Sequence, residues 1–381
     1  MNAYWDCEKL AEPPETFAAP GFSAPGVEAL FFAGEPYQGK ETRVFAWMGM
    51  PYVPKGQKCP AMVLLHGGGG TAFDEWVRIW NRRGYAAIAF DQCGCVPERP
   101  EPQGGQPHQR HEYGGPPGWD ASFDQVDQEV SGQWQYHAVA AALRAHSLLA
   151  SQPQVDADRI GVTGISWGGY LTCLVAAVDT RYQCAIPVYG CGFLGDNSVW
   201  KHEAFRGRSP ESVARWLEAW DPSRYLQQAA MPFCWVSGTN DFAYPLDSLQ
   251  KSYRLPPGPR TLCIGVEMPH SHADGWAPGE MGAFADSILD GGAPLARIVD
   301  FRRLDNRLVA TFQSARPIVR AEICYTRASG YWSDRKYNVL PATIDYDKGR
   351  VEAVIPSQTR VCFLNLYDDR GCVVSTEHIE L

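Results

Sequence analysis

Asp158–Ala177 reads DRIGVTGISWGGYLTCLVAA, and it sets one small hydroxyl residue, Ser166, between two unlike patterns. Arg159–Thr163 is short, β-branched and closed by Gly164, which predicts a buried strand. Tyr170–Val178 is apolar nearly all round, which predicts a buried helix. A chain that passes from one to the other without a loop must hold its corner residue in an unfavourable backbone region. Side chains two before and two after that corner would collide unless they are small. Those positions are Gly164 and Gly168.

This is the G-x-S-x-G pattern of a nucleophile elbow, in which a serine Oγ stands above a sheet with a helix N-terminus aimed at it. The plainer alternative is a glycine-rich strand–helix turn with an incidental serine. The strand before and the helix after are the context the motif requires. A serine nucleophile also needs a base, an orienting acid and an oxyanion hole. The chain supplies candidates in the order oxyanion loop, Ser, Asp, His.

Cys59–Gly70 reads CPAMVLLHGGGG: a buried strand over Ala61–Leu65 breaks into His66 and four glycines. Such a backbone approaches a ligand closely and turns its N–H groups inward. The N–H of Gly68 or Gly69 is the expected first oxyanion donor, and that of Trp167 the second. This loop carries neither G-K-[ST] nor G-x-G-x-x-G, which disfavours a phosphate loop here. Met231–Asp241, MPFCWVSGTND, is a strand that leaves Asp241 beyond its carboxyl end, where catalytic groups gather in open α/β sheets. Asp247 lies further along, in the expected next helix. Arg260–Trp276, RTLCIGVEMPHSHADGW, is the last sheet strand followed by His270 and His272. One of the two is the expected base. The small residues of Ser-His-Ala-Asp-Gly favour His272, with His270 as the alternative or as a loop-orienting residue. An H-x-H metal site lacks a third ligand nearby, so no metal and no cofactor are implied.

The segments LLHGGGGTAFDEW, RGYAAIAFDQCG, DRIGVTGISWGGY, SGTNDFAYP and MPHSHADGWAP make Pro60–Leu295 resemble the dienelactone hydrolase/prolyl-oligopeptidase-like esterases, particularly the bacterial acetylxylan-esterase-like group. The resemblance implies an α/β-hydrolase fold and acetyl esters on plant polysaccharides as substrate. The chain departs from dienelactone hydrolases proper, which carry cysteine at the elbow. No propeller-sized segment precedes the hydrolase part, unlike prolyl oligopeptidase. Both departures favour an esterase over a peptidase.

The 381 residues are 45% hydrophobic, enough for one large domain and a smaller one. A net charge of −9 argues against nucleic-acid partners and anionic membrane surfaces. No apolar run approaches a membrane span. The start, MNAYWDCEKLAEPPETF, lacks the basic and apolar parts of a secretory signal, so the expected location is cytoplasmic; removal of a leader would make the protein secreted. Twelve cysteines spread through predicted strands and helices read as buried free thiols of a reducing compartment.

The expected organisation is an extended Pro/Ala-rich arm over 1–25, an α/β-hydrolase domain with a doubly wound, mostly parallel sheet over 26–294, and a β-sandwich over 295–381. Short alternating runs such as RLVATFQS, VRAEICYTR and RVCFLNLYD, split by turn signals, argue an immunoglobulin- or fibronectin-like sandwich. Tyr325, Tyr331, Trp332 and Tyr337 are either a sugar-stacking platform or sandwich core. Val96–Ser131 is long and polar, follows a strand's carboxyl end and is expected over the site, with Arg99, Arg110 and His111 meeting a polar or acidic leaving group. Gly190–Asp221, with Trp200, His202, Trp216 and Trp220, is a second expected cap. The expected function is a serine esterase acting on small-molecule or carbohydrate esters with short acyl groups, with a homo-oligomer left open. The rivals are an oligopeptidase with the same triad and a carbohydrate-binding protein on an inactive hydrolase scaffold.

Overall fold

Nine strands form one sheet: β1 (Thr16–Ala18), β2 (Glu28–Ala33), β3 (Arg43–Gly49), β4 (Cys59–Leu65), β5 (Ala86–Phe90), β6 (Val155–Ile165), β7 (Cys184–Val188), β8 (Phe233–Gly238) and β9 (Arg260–Gly265). The computed structural model describes residues 4–99 and 108–381. Residues 1–3 of the expected arm and 100–107 of the expected pocket insertion lie outside the described residues.

The strand order is β1-β2-β3-β5-β4-β6-β7-β8-β9. β1, β2, β3 and β5 pair antiparallel; from β5 through β4 to β9 every pairing is parallel. Every residue of β4, β5, β7 and β8 is buried, which is why these strands read as continuous apolar runs rather than alternations. Helices Asp74–Arg82, Trp134–Ala150, Trp167–Val178 and Gly279–Leu289 supply the flanking layers. The helix Trp167–Val178 is buried along its whole length, in keeping with its all-round apolar sequence. This is the doubly wound, mostly parallel sheet that the sequence predicts.

Residues 4–25 are not an extended arm. A helix at Cys7–Leu10 and the strand β1 tie them to the sheet. Trp5 and Leu10 are buried; Trp5 Nε1 donates to the Tyr136 carbonyl at 2.9 Å, and Ser147 Oγ donates to the Leu10 carbonyl at 2.8 Å. Two large apolar side chains in a Pro/Ala-rich stretch are enough to anchor it.

Beyond Leu295 the chain forms two antiparallel sheets. One contains Arg297–Leu304, Arg307–Gln313, Arg350–Val354 and Thr343–Asp345 in spatial order. The other contains Asn338–Pro341, Ile318–Thr326, Val361–Asp368 and Val373–Ser375, with Ile379–Glu380 paired to Val361–Asp368. The second sheet covers the outer edge of the main one. Ile264 of β9 donates its N–H to Ser375 Oγ at 2.8 Å and accepts from Asn365 Nδ2 at 3.0 Å. An edge strand whose polar groups are satisfied this way offers no template for further pairing. No helix among the described residues is long and apolar enough to cross a membrane.

Candidate active site

β6 ends at Ile165 and the next helix begins at Trp167, so Ser166 alone makes the corner. Its backbone sits at φ 57°, ψ −117°, a region costly for any residue with a side chain. The two flanking glycines are a steric necessity. A Cβ on Gly164 would lie 2.1 Å from the Gly168 carbonyl oxygen, and one on Gly168 would lie 1.9 Å from the Leu65 carbonyl oxygen. Ser166 N–H donates to Val188 O at 2.9 Å, pinning the corner to β7. Trp167 opens the helix, so its N–H belongs to the first turn, where donors have no intrahelical acceptor.

Asp241 follows β8 and is buried. Its Oδ1 accepts the N–H groups of Ala243 at 2.9 Å and Tyr244 at 2.7 Å. Its Oδ2 accepts from His270 Nδ1 at 2.6 Å. The His270 ring stacks on Tyr189, with centroids 4.3 Å apart and planes 22° apart, and Phe242 closes in at 4.7 Å. Tyr189 OH donates to the Pro269 carbonyl at 2.6 Å and so fixes the loop that carries His270. With Nδ1–H engaged by Asp241, Nε2 is the ring nitrogen left for other chemistry.

The expected pairing of Asp241 with His272 is therefore not what the structure builds. His272 Nε2 accepts the N–H of Gly67 at 2.9 Å, and its ring packs on Phe73 at 4.8 Å. Burial, then repulsion from His66 and His270, lowers its pKa to about 3. The reason is local. Ser271 caps a short helix, His272–Trp276, its Oγ accepting the Asp274 N–H at 3.0 Å, so His272 is the first helical residue and its ring meets Gly67 and Phe73 instead of Asp241. Ser-x-x-Asp is a readable capping signal, and it marks His270 as the last loop residue with a functional side chain.

The glycine loop is clamped from both sides. His66 Nδ1 donates to Gly67 O at 2.9 Å while its Nε2 accepts the Gln92 N–H at 3.2 Å. Burial lowers its pKa to about 4, so the ring is neutral at physiological pH. Gly67 to Gly70 close a turn, Gly70 N–H to Gly67 O at 3.2 Å, with Gly69 at φ 71°. Of the two expected oxyanion glycines, Gly68 lines the cavity beside Trp167, whereas Gly69 is not among the lining residues.

Ser166, Trp167, Gly68 and His270 face one cavity of about 380 Å³, which Asp120, Trp200, Glu203 and Phe242 also line. Each insertion thus contributes wall residues. Trp216 and Trp220 do not; both are fully buried in core packing. The basic residues of the first insertion point elsewhere. Arg99 pairs with Asp74 at 2.7 Å, Arg110 donates to the Cys93 and Gly115 carbonyls, and His111 packs on Phe31 at 5.1 Å. Of the aromatics weighed as a sugar platform, Tyr325, Trp332 and Tyr337 are buried and only Tyr331 is exposed.

The prolyl oligopeptidase family model matches residues 118–254, which include Ser166 and Asp241. An acetyl xylan esterase from Paenibacillus sp. R4 is similar in structure, with TM-score 0.57 and 22% identity over 76% of this chain and 94% of that one. One from Thermoanaerobacterium sp. JW/SL YS485 gives TM-score 0.57 and 17% identity over 76% and 92%. A puromycin-hydrolysing peptidase of Mycobacterium tuberculosis gives TM-score 0.51 and 18% identity over 72% of this chain but 41% of that one. No protein of curated function matches the sequence. Strand order, elbow and these likenesses together show that the chain has an α/β-hydrolase fold, within which residues 118–254 match the prolyl oligopeptidase family model.

Proposed function

We propose that the protein is a serine esterase for carboxylic esters with short acyl groups, with Ser166 as nucleophile, His270 as base and Asp241 as the orienting acid. The observation that carries this reading is the strained Ser166 sharing one cavity with an imidazole whose Nδ1 is held by a buried carboxylate. In this mechanism His270 Nε2 takes the Ser166 proton as Oγ attacks the ester carbonyl. Asp241 fixes the tautomer and stabilises the imidazolium. The N–H groups of Gly68 and Trp167 receive the oxyanion, a stabilisation whose loss costs on the order of 3 kcal/mol of barrier. His270 then protonates the leaving alcohol, and water cleaves the acyl-enzyme with the same base.

Esters are favoured over peptides because the acetyl xylan esterases align over nearly their whole length, whereas the peptidase aligns over 41% of its own. The modest cavity, walled by Trp167 and Trp200, suits a short acyl group. We read the C-terminal pair of sheets as an immunoglobulin- or fibronectin-like sandwich that braces β9. The test is a series of p-nitrophenyl esters from acetyl to long acyl chains, run beside chromogenic dipeptide amides, with fluorophosphonate labelling of wild type and Ser166→Ala. Fastest turnover of acetyl esters, with the adduct on the Ser166 peptide, is expected. Faster turnover of the amides would make the protein an oligopeptidase. Strong sugar binding without labelling would make it a binding protein.

A further inference from the structure

We propose that this cavity selects esters carrying a positive charge near the scissile bond, and that Asp120 and Glu203 set the preference. The inference rests on reading the cavity as an ester site, and it adds the charge class of the substrate.

The lining contains two carboxylates, Asp120 and Glu203, and among the described residues no lysine or arginine. They come from different insertions, one after β5 and one after β7, so the acidic character is not an accident of one exposed helix face. Asp120 is held in place: Trp200 Nε1 donates to its Oδ1 at 3.1 Å. Trp200 in turn packs between Trp167 at 4.6 Å and Tyr244 at 4.8 Å. The residue before Asp120, Trp119, adopts φ 56°, a left-handed conformation that is costly for a bulky side chain. That strain falls where the insertion delivers its carboxylate to the wall.

Three cations of the two insertions are engaged elsewhere. Arg99 is paired with Asp74, Arg208 with Asp124 at 2.7 Å, and Lys201 Nζ donates to the Asp196 carbonyl. The carboxylates that line the cavity are thus these two exposed side chains, on a chain whose net charge is already −9. A ring adds to their effect. Phe242 is 58% exposed and stands beside His270, and an open ring face such as that of Phe242 attracts cations and repels anions. An anionic ester approaches against two like charges, a neutral ester gains little from them, and a cationic ester gains from carboxylates and ring together.

The experiment compares three acetyl esters: acetylcholine, its carbon isostere of the same size with a tert-butyl group in place of the trimethylammonium, and the smaller, anionic acetyl ester of glycolate. The expected order of kcat/KM is cation, neutral, anion, with cation over neutral by about tenfold or more. In Asp120→Asn/Glu203→Gln the cation-to-neutral ratio falls to within about twofold of one. Equal kcat/KM for cation and isostere in the wild type overturns the proposal. Calorimetric binding of the same pair to Ser166→Ala reads the preference without chemistry. Tighter binding of the cation, with no ester turned over by wild type, leaves the charge preference standing and removes the esterase reading. Equal binding, or none, overturns the preference itself.

Discussion

The N–H of Gly67 is held by His272 Nε2 at 2.9 Å, across 205 residues of sequence. The bond requires an unprotonated Nε2, and a pKa lowered to about 3 by burial provides one at any working pH. Gly67 directly precedes the candidate oxyanion residue Gly68, so His272 is a positioning residue for that loop. His272→Ala removes the acceptor and leaves a buried N–H unpaired, a cost of about 1–3 kcal/mol. The expected result is a kcat lower by about 10- to 100-fold with KM little changed, since the oxyanion forms only along the reaction. His272→Gln, which keeps an acceptor, should recover part of the loss. Equal kcat in folded wild type and His272→Ala would make the residue a packing element only.

His270→Ala should be far more damaging. It removes the imidazole whose Nδ1 bonds Asp241 at 2.6 Å, and loss of a triad member typically lowers kcat by about 10⁴-fold or more. The two histidine variants therefore rank His270 well below His272 in residual kcat, by steady-state assay on p-nitrophenyl acetate with folding checked by circular dichroism. The opposite ranking would return the base to His272.

The elbow was legible because it is steric: only glycine fits at 164 and 168, and that constraint acts within a few residues. The parallel strands were legible because burial on both faces leaves continuous apolar runs such as Ala61–Leu65. Which histidine meets Asp241 was not, although the Ser271–Asp274 cap gave a hint. The deciding contacts are the stacking of Tyr189 on His270 and the bond from Gly67 to His272, and both join elements distant in sequence. The anchoring of Trp5 was missed for the same reason, since its partner is a carbonyl on the helix Trp134–Ala150. Asp120 and Trp200 lay inside the two insertions expected to wall the pocket, but their hydrogen bond joins one insertion to the other.

Ser166 carries its strain for the sake of its position. At φ 57° a glycine is unstrained, whereas serine and alanine are not. Ser166→Gly should therefore be more stable than Ser166→Ala by roughly 1–2 kcal/mol, with both inactive. By contrast Gly168→Ala should lose several kcal/mol, because its new Cβ meets the backbone oxygen of Leu65 rather than a side chain that can swing aside. Denaturant midpoints of the three variants measure all of this. A Ser166→Gly no more stable than Ser166→Ala would mean that the corner stores no strain.

The buried histidines predict how stability depends on pH. Burial lowers the pKa of His66, His111 and His146 to about 4 and that of His272 to about 3, from an ordinary 6.5. Neither ring nitrogen of His146 has a partner among the described residues, and its ring packs edge-on to Tyr182 at 4.7 Å. Because the folded values lie below the unfolded one, the unfolded chain binds more protons as pH falls from 6.5. The contribution of these residues is thus complete above pH 6.5 and is lost as pH falls toward 4. Asp91 acts in the opposite sense: burial raises its carboxyl to about 6 from 3.8, so the folded state binds the extra proton between those values. Near pH 5, four imidazoles against one carboxyl leave the unfolded chain with about three more protons, a slope of about 4 kcal/mol per pH unit. The histidines win. Urea midpoints should be flat from pH 7 to 8 and fall steeply from pH 6 to 4.5. His146→Phe, which fills the same space without a titrating group, should cut that slope by roughly a third; an unaltered slope would show that His146 is not held neutral by burial.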